Sequence, residues 1–452
     1  MATLVEKLNL SIRLTSQLLL VVLLVGVVQI PAQGANLLVD SDETAEREDA
    51  PCQDQTDQAS ALNETSGQED NTQPDEECET QSAEQQSDKS RQELVGEITE
   101  NTQSVKTLRE LLLGRSYTFF GRAEPEYAVY SNGVLDDDDG FDMRRFRVGM
   151  VGVLSDTVSY KGELDLTDHN NNLSDFYLKW QTFRLGSFMI GNQRVAQNLS
   201  AMTSSISQIF MERPLPVTTF SLARRLSVSQ DLYLKKLGFH AVIFSKDPNN
   251  DAGKYGASVR IFTNPIMTDD SVSHVGFSLV RERMDRDARY RTRPESHVTD
   301  IRLVDTGEYP DVSYQNIAGV ELAGARGAFT ARLEGFASQW QREETEDNWF
   351  YGAYAEIGYF LTGQAFNYRH GKFVNPVISD GSRAWELGLR ASWVDLDDGE
   401  IRGGKQANLG AALNFYFHKK MRAQFNVIYY DAQRDQGDER GWIAQTRLEI
   451  QW

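Results

Sequence analysis

The C-terminal part of the chain alternates between apolar and polar residues with a period of two. In one stretch the apolar positions are Trp385, Leu387, Leu389, Ala391 and Trp393. Polar or small residues stand between them, and the pattern returns in the segments that begin near Gln406, Met421 and Gly441. This period puts apolar side chains on one face of a β-strand and polar side chains on the other. The region therefore predicts consecutive amphipathic strands.

A soluble β-sandwich and a membrane β-barrel both produce such alternation. Three features favour the barrel. The alternating runs are about nine to twelve residues long, which a tilted strand needs to cross a bilayer. Short links such as residues 418–420 alternate with long polar ones, and the chain ends at the close of a strand on an aromatic residue, Trp452. We therefore predict an all-β fold, an antiparallel transmembrane β-barrel over residues 117–452.

The candidate strands number about sixteen, an even number of the size that encloses an aqueous lumen. Their predicted starts include Asp231 and Val298. Residues 192–229 form an unusually long link between the fifth and sixth strands. Because a long structureless segment in a compact fold is usually functional, we predict that this loop folds inward and narrows the lumen.

The first 34 residues are typical of a secretory signal peptide. Lys7 and Arg13 precede the apolar run of residues 18–28, and the small residues of the Ala-Gln-Gly run at 32–34 favour cleavage after Gly34. An uncleaved membrane anchor is the alternative, because the apolar run can be extended to nearly the ~20 residues of a membrane span.

The net charge of −20 is concentrated in one segment. Between Ala35 and Glu93 there are 18 acidic residues and 3 basic ones, which gives −15. Because low hydrophobicity with high net charge predicts disorder, we expect residues 35–90 to be a disordered acidic spacer in the periplasm. Its two cysteines, Cys52 and Cys78, either form a disulfide or remain idle thiols.

Residues 91–113 carry a heptad pattern of apolar residues with one polar core position, Asn101. The pattern predicts a short helix in front of the barrel. This helix is either part of a coiled coil or a single amphipathic helix on the barrel mouth.

Three runs in the barrel region are distinctive. They are residues 143–149 (MRRFRVG), residues 209–213 (IFMER), and residues 384–390 (AWELGLR) followed by 395–401 (DLDDGEI), 403–404 (GG) and 413–416 (LNFY). With these runs the chain resembles the phosphate-selective porin O and P family of Gram-negative outer membranes. The resemblance implies a sixteen-stranded trimeric porin in which the long loop lies inside each channel. In family members specialised for phosphate, it implies an anion path lined by arginines and lysines.

The chain departs from the family where the long loop begins. Family members commonly carry a lysine there in a Gly-Gln-Phe-Lys type run, whereas residues 191–194 read Gly-Asn-Gln-Arg, so Arg194 takes the place of the lysine. The loop contains no lysine, and Glu212 is its only acidic residue. This composition argues against tight phosphate selectivity but not against a porin.

A pore selects ions through fixed charges that face water at a constriction. The predicted pore-lining, anion-binding residues are Arg145, Arg147, Arg194, Arg213, Arg224 and Arg225. Guanidinium stays charged at any working pH and binds phosphate or carboxylate through two parallel N–H bonds. For Arg145 and Arg147, strand alternation predicts a position on the lumen side.

Some of these charged residues could instead have purely structural roles. Either Glu212 or Arg213 pins the loop to the barrel wall by a salt bridge, and only one of Arg224 and Arg225 points inward if that segment is extended. The basic segment 281–293 either attracts anions and lipopolysaccharide phosphates or is an ordinary solvated loop.

We expect a passive porin of the Gram-negative outer membrane for small polar solutes, favouring anions such as phosphate. Its expected partners are outer-membrane lipid, lipopolysaccharide, permeant anions and further copies in a homotrimer, and we expect no nucleic acid, cofactor, metal or catalytic residue. The six histidines are scattered and no G-x-S-x-G motif occurs, which disfavours an enzyme. The alternative is a structural barrel that tethers the envelope through the spacer, with incidental conduction.

Overall fold

The computed structural model describes residues 116–131, 133–167, 172–182, 184–245, 255–284, 287–379 and 381–452. The predicted signal peptide (1–34), acidic spacer (35–90) and heptad segment (91–113) lie outside these ranges, as do Cys52 and Cys78. Among the residues that are described, no helix is both long enough and apolar enough to cross a membrane.

Twenty strands follow one another along the described chain. They are β1 (Ser116–Ser131), β2 (Gly140–Ser155), β3 (Val158–Asp165), β4 (Asn172–Thr182), β5 (Gly186–Arg194), β6 (Arg224–Tyr233), β7 (Leu237–Ser245), β8 (Tyr255–Thr263), β9 (Ser271–Arg283), β10 (Arg291–Thr292), β11 (Val304–Asp305), β12 (Val312–Arg326), β13 (Phe329–Arg342), β14 (Asn348–Phe360), β15 (Asn367–Arg369), β16 (Lys372–Val374), β17 (Ala384–Asp398), β18 (Ile401–His418), β19 (Met421–Gln433) and β20 (Glu439–Gln451).

Sixteen of these strands close into one antiparallel barrel, which confirms the predicted fold class. The other four pair as two small separate sheets, β10 with β11 and β15 with β16. In the barrel β1 pairs with both β2 and β20, so the sheet has no free edge. Closure matters because lipid tails offer no hydrogen bonds to an unpaired backbone.

The two faces of the barrel wall differ in polarity. On β17 the side chains of Trp385, Leu387 and Leu389 are exposed on the outer face, whereas Glu386 and Arg390 are buried on the inner face. Exposed apolar residues recur around the barrel, including Phe176, Ile190, Ile243, Leu409 and Trp442. A continuous apolar outer surface of this kind is suited to contact with lipid tails.

Two predicted strand starts are wrong, and the two errors cancel in the strand count. Asp231 lies inside β6, and the short link at residues 234–236 separates β6 from β7 without a glycine or proline to mark the turn. Val298 starts no barrel strand. It lies in the segment after β9 and packs against a buried cluster that includes Tyr130 and Leu303, so its apolar neighbours imitate a strand.

The barrel has two different rims. At the C-terminal rim β1 begins and β20 ends, and the opposite rim is called the loop rim. Two long segments leave the loop rim: the inner loop, residues 195–223, and the cover loop, residues 284–311. The inner loop contains helices α1 (Leu199–Met202) and α2 (Leu215–Phe220). The predicted loop bounds of 192–229 therefore included the end of β5 and the start of β6.

Trp452 lies at the seam where the barrel closes. Its backbone N–H donates to the carbonyl of Gly121 at 3.1 Å, and the Gly121 N–H donates to the carbonyl of Trp452 at 3.3 Å. The indole ring lies so close to Gly121 that a β-carbon there would be 2.3 Å from the ring carbon Cζ2. The terminal aromatic residue thus extends the pairing of β1 with β20 to the end of the chain.

Leu389 tests the assignment of the outer face. It is 56% exposed and lies between two outer-face tryptophans, Trp385 and Trp393, so it should sit near the middle of the bilayer. Leu389→Arg should lower the free energy of unfolding in phospholipid vesicles by about 2–4 kcal/mol more than Leu389→Ala does, because a guanidinium at the midplane loses its hydration. Equal stability of the two variants would contradict the assignment.

Candidate functional site: the barrel lumen

The inner loop lies across the barrel lumen and is held by the inner face of strands β17 to β20. Backbone carbonyl oxygens of the loop accept hydrogen bonds from wall side chains: Gln208 from Arg422 at 2.9 Å, Ile209 from Asn414 at 2.8 Å, Met211 from Arg447 at 2.6 Å and Glu212 from Arg390 at 2.8 Å. Arg390 and Asn414 belong to the AWELGLR and LNFY runs, and the residues they hold belong to the IFMER run. The IFMER run therefore lies against the AWELGLR and LNFY runs in one contact.

Glycines in the wall let this segment approach closely. A β-carbon on Gly388 would lie 2.4 Å from the Cγ2 of Ile209, and one on Gly410 would lie 2.8 Å from the ring of Phe210. The guanidinium of Arg390 stacks over the Phe210 ring at 4.0 Å, a cation–π contact that adds to its hydrogen bonds.

The beginning of the inner loop is fixed by a buried carboxylate. Glu334 on β13 accepts from the backbone N–H groups of Leu199 at 2.8 Å and Ser200 at 2.9 Å, at the start of α1. The Asn198 side chain caps the same turn by accepting from the Ala201 N–H at 2.7 Å. Free N–H groups at a helix start favour such acceptors.

The cover loop meets the inner loop through Glu295. Its carboxylate accepts from the Leu215 N–H at 3.0 Å, from Arg390 at 3.1 Å and from the Ser392 hydroxyl, while its backbone carbonyl accepts from Gln445 at 3.0 Å. Glu295 has a φ of 61°, which a residue with a side chain rarely adopts. These contacts on every side hold that strained conformation in place.

Together the two loops fill one side of the lumen with an apolar cluster. Its members include Leu215, Val217, Phe220, Tyr290, Trp340 and Phe350, all nearly inaccessible to water. Charged residues of the wall on this side are buried in ion pairs, as in Arg260 with Glu321, both 0% exposed at 2.7 Å. These side chains are therefore closed off from water.

The accessible charges lie on the other side, along β1 to β6 and the facing surface of the inner loop. We call the basic residues there the basic wall; they are Arg122, Arg144, Arg147, Lys161, Arg194, Arg213 and Arg224. Water reaches them to a limited extent, with side-chain exposures such as 20% for Arg144, 24% for Lys161 and 17% for Arg224.

Acidic side chains are interleaved with the basic wall. Arg147 binds Glu163 at 3.0 Å and Asp165 at 2.6 Å, and Asp175 binds both Lys161 at 2.9 Å and Arg224 at 2.5 Å. Arg144 binds both oxygens of Glu212, at 2.7 and 3.1 Å. The basic side chains outnumber these acids, so the accessible side of the lumen is locally positive.

The six predicted arginines fall into two groups. Arg147, Arg194, Arg213 and Arg224 belong to the basic wall. Arg145 and Arg225 also turn inward, but they are only 4% and 5% exposed, because each is enclosed in an ion pair, Arg145 with Glu124 and Arg225 with Glu282.

The structure decides two of the alternatives that the sequence left open. Glu212, and not Arg213, holds the inner loop to the barrel wall by salt bridges, to Arg144 and, at 2.6 Å, to Arg447. Arg213 donates instead to the carbonyls of Ser200 at 3.2 Å and Thr203 at 3.1 Å. Arg224 and Arg225 both reach the lumen side, because Arg224 stands at the first residue of β6 and its long side chain bends to Asp175.

Sequence reasoning missed Arg122, Arg144 and Lys161. Lys161 could have been found, because the period of two puts it on the same polar face of β3 as Glu163 and Asp165. Arg144 could not, because strand alternation gives it the opposite face from Arg145, and the register of β1 with β2 shifts next to it, between Glu124 and Pro125.

Comparison with known proteins agrees with this architecture. Residues 114–452 match the family model described as phosphate-selective porin O and P. An uncharacterized protein of Caulobacter vibrioides is 30% identical over 372 residues, which are 74% of this chain and 74% of that protein.

Solved structures of outer-membrane proteins share the fold. The outer membrane protein OmpT of Vibrio cholerae, in its trimer form, is 12% identical with a TM-score of 0.50, over 75% of this chain and 99% of OmpT. OprB of Pseudomonas putida is 9% identical with a TM-score of 0.50, over 76% of this chain and 96% of OprB.

Gly388→Ala tests the anchoring of the inner loop. The added methyl would meet Ile209 at 2.4 Å, so the variant should lose about 1–3 kcal/mol of unfolding free energy through overpacking. Gly162→Ala is the matched control, because its nearest neighbour would be the Phe176 ring at 3.6 Å. Equal unfolding free energies for both variants in urea titrations would show that the loop does not depend on this contact.

Proposed function

Since the chain belongs to the phosphate-selective porin O and P family of outer-membrane channels, we propose that it is a passive porin whose small polar solutes pass along the basic wall, with anions favoured over cations. The partial exposure of the basic wall, against the complete burial of charges behind the loops, carries this proposal. A pore that catalyses nothing needs only fixed charges beside its water path.

The chemistry of Arg194 and Arg213 supports anion preference most directly. Arg194 donates to the carbonyls of Ala201 at 2.8 Å and Thr203 at 3.3 Å, and Arg213 donates to carbonyls of the same turn. Carbonyl oxygens orient a guanidinium without cancelling its charge. Both arginines therefore keep a full positive charge next to the lumen, in a fixed position.

We propose that the preference is moderate and not specific for phosphate. Most other cations of the basic wall already bind a carboxylate, as Arg147 binds Glu163 and Asp165. A permeant anion must compete with these acids, so it gains less than it would from unpaired lysines or arginines. The absence of lysine from the inner loop points the same way.

We propose that the C-terminal rim faces the periplasm and that the loop rim faces outward, with residues 35–113 on the periplasmic side. Arg281 and Arg283 then lie on the outer face of β9 near the outer leaflet, stacked at 4.0 and 5.7 Å from the Tyr314 ring centre, where lipopolysaccharide phosphates are available. Arg289 and Arg293 of the cover loop instead pair with acids of the same loop.

We also propose a homotrimer that forms through the outer face of β3 to β5. β3 has 8 residues and β5 has 9, against 18 in β18, so the wall there barely reaches the ~9–11 residues of a membrane crossing. Phe176 and Ile190 are 62% and 58% exposed on this face.

Light scattering in detergent should give the mass of three chains, and a monomer would contradict the assembly.

Channel recording in planar bilayers tests the function itself. Purified protein should produce stepwise conductance, and its reversal potential under a salt gradient should be anion-selective. Absence of steps would favour the tethering alternative over a porin, and a cation-selective potential would contradict anion preference.

Charge removal tests the residues. A unit charge about 4 Å from a passing ion is worth about 1 kcal/mol in water. Arg147→Gln and Arg213→Gln should therefore each lower anion permeability by up to about fivefold at low salt, and less at high salt, which lowers the anion-to-cation permeability ratio. Arg440→Gln is the control, because Arg440 is 58% exposed on the outer face of β20. A ratio unchanged by the first two variants would mean that ions follow another path.

A further inference from the structure

A histidine and two carboxylates from three separate segments meet near the loop rim. Glu126 on β1 and Asp142 on β2 are opposite each other in the register of the two strands, and His297 reaches them from the cover loop. One ligand atom of each residue lies within 4.8 Å of the other two. The His297 Nδ1 is 2.6 Å from Asp142 Oδ2 and 3.9 Å from Glu126 Oε1.

The cluster has an unsatisfied atom at its base. Glu126 is 2% exposed, and its Oε1 has no hydrogen-bond partner, whereas its other oxygen is bound by Arg447. A buried carboxylate oxygen without a partner costs free energy, so it calls for a ligand. His297 and Asp142 are 27% and 36% exposed above it, which leaves a path from solvent.

From this arrangement we propose that Glu126, Asp142 and His297 form a binding site for a divalent first-row transition ion such as Zn²⁺. Ligands at about 2.0–2.2 Å from a tetrahedral zinc are about 3.4 Å from one another. Reaching that spacing requires the 2.6 Å contact to open and the 3.9 Å contact to close, each by less than about 1 Å.

The surroundings select the class of ion. Arg144 and Arg447 lie nearby, so the local field does not attract cations from a distance, and an ion must bind through direct ligation. Calcium and magnesium require six or more oxygen ligands or several retained waters, whereas an imidazole with two carboxylates suits zinc, nickel or copper.

A bound ion would join the cover loop to β1 and β2. It would also add two positive charges beside Arg144, at the entrance to the basic wall. The site would therefore fasten the cover loop and increase the positive charge at the channel mouth when the metal is present. This inference depends on the barrel and its loops, and it holds whether or not the channel prefers anions.

Zinc titration by calorimetry tests the site in the full-length protein in detergent. All samples carry Cys52→Ser and Cys78→Ser, because free thiols bind Zn²⁺ by themselves. The parent should bind one Zn²⁺ per chain in this site, and Glu126→Gln, Asp142→Asn and His297→Asn should each weaken binding by at least about tenfold, since even losing an outer-shell partner costs about 10–100-fold. His418→Asn, at an exposed histidine on the C-terminal rim, should bind as the parent does.

Cobalt provides a second readout that is independent of affinity. Co²⁺ bound through one imidazole and two carboxylates should give visible absorption bands that disappear in His297→Asn, while the variant keeps the circular dichroism of the folded barrel. Equal zinc affinity in the parent and His297→Asn would overturn the proposal. So would the absence of binding by the parent at about 1 mM Zn²⁺, a concentration at which even weak sites fill.

Discussion

The interior of this barrel depends on the hydrogen bonds that guanidinium groups of the wall donate to backbone carbonyls of the inner loop. Arg390, Arg422 and Arg447 each donate to one loop carbonyl and at the same time bind a wall carboxylate that fixes their direction. A planar guanidinium can serve both partners because it carries five N–H donors. Charges that would be costly in lipid are thus used on the inner face, where they fix the loop across the lumen.

The position of the loop divides the lumen into two sides of different chemistry. Behind it, apolar side chains and fully buried ion pairs such as Arg260 with Glu321 exclude water. In front of it, the basic wall keeps partial contact with water. Fixing the loop therefore determines which charges of the barrel serve stability and which are available to a passing solute.

The sequence was sufficient for the barrel because the pleat of a strand imposes a period of two on any wall between lipid and water. It was insufficient for the link between β6 and β7, where no turn residue occurs. In the site, alternation predicted that Arg145 faces inward, but not that Glu124 encloses it. Contacts such as His297 with Asp142, 155 positions apart, depend on the path of the cover loop, which no local pattern contains.

Anomalous diffraction from crystals soaked in bromide would locate anions in the lumen. Bromide peaks are expected beside the basic wall, near Arg147, Arg194 and Arg213, and none behind the inner loop. Peaks confined to the side of Arg260 and Glu321, or a lumen without peaks while bromide binds elsewhere on the protein, would contradict this expectation.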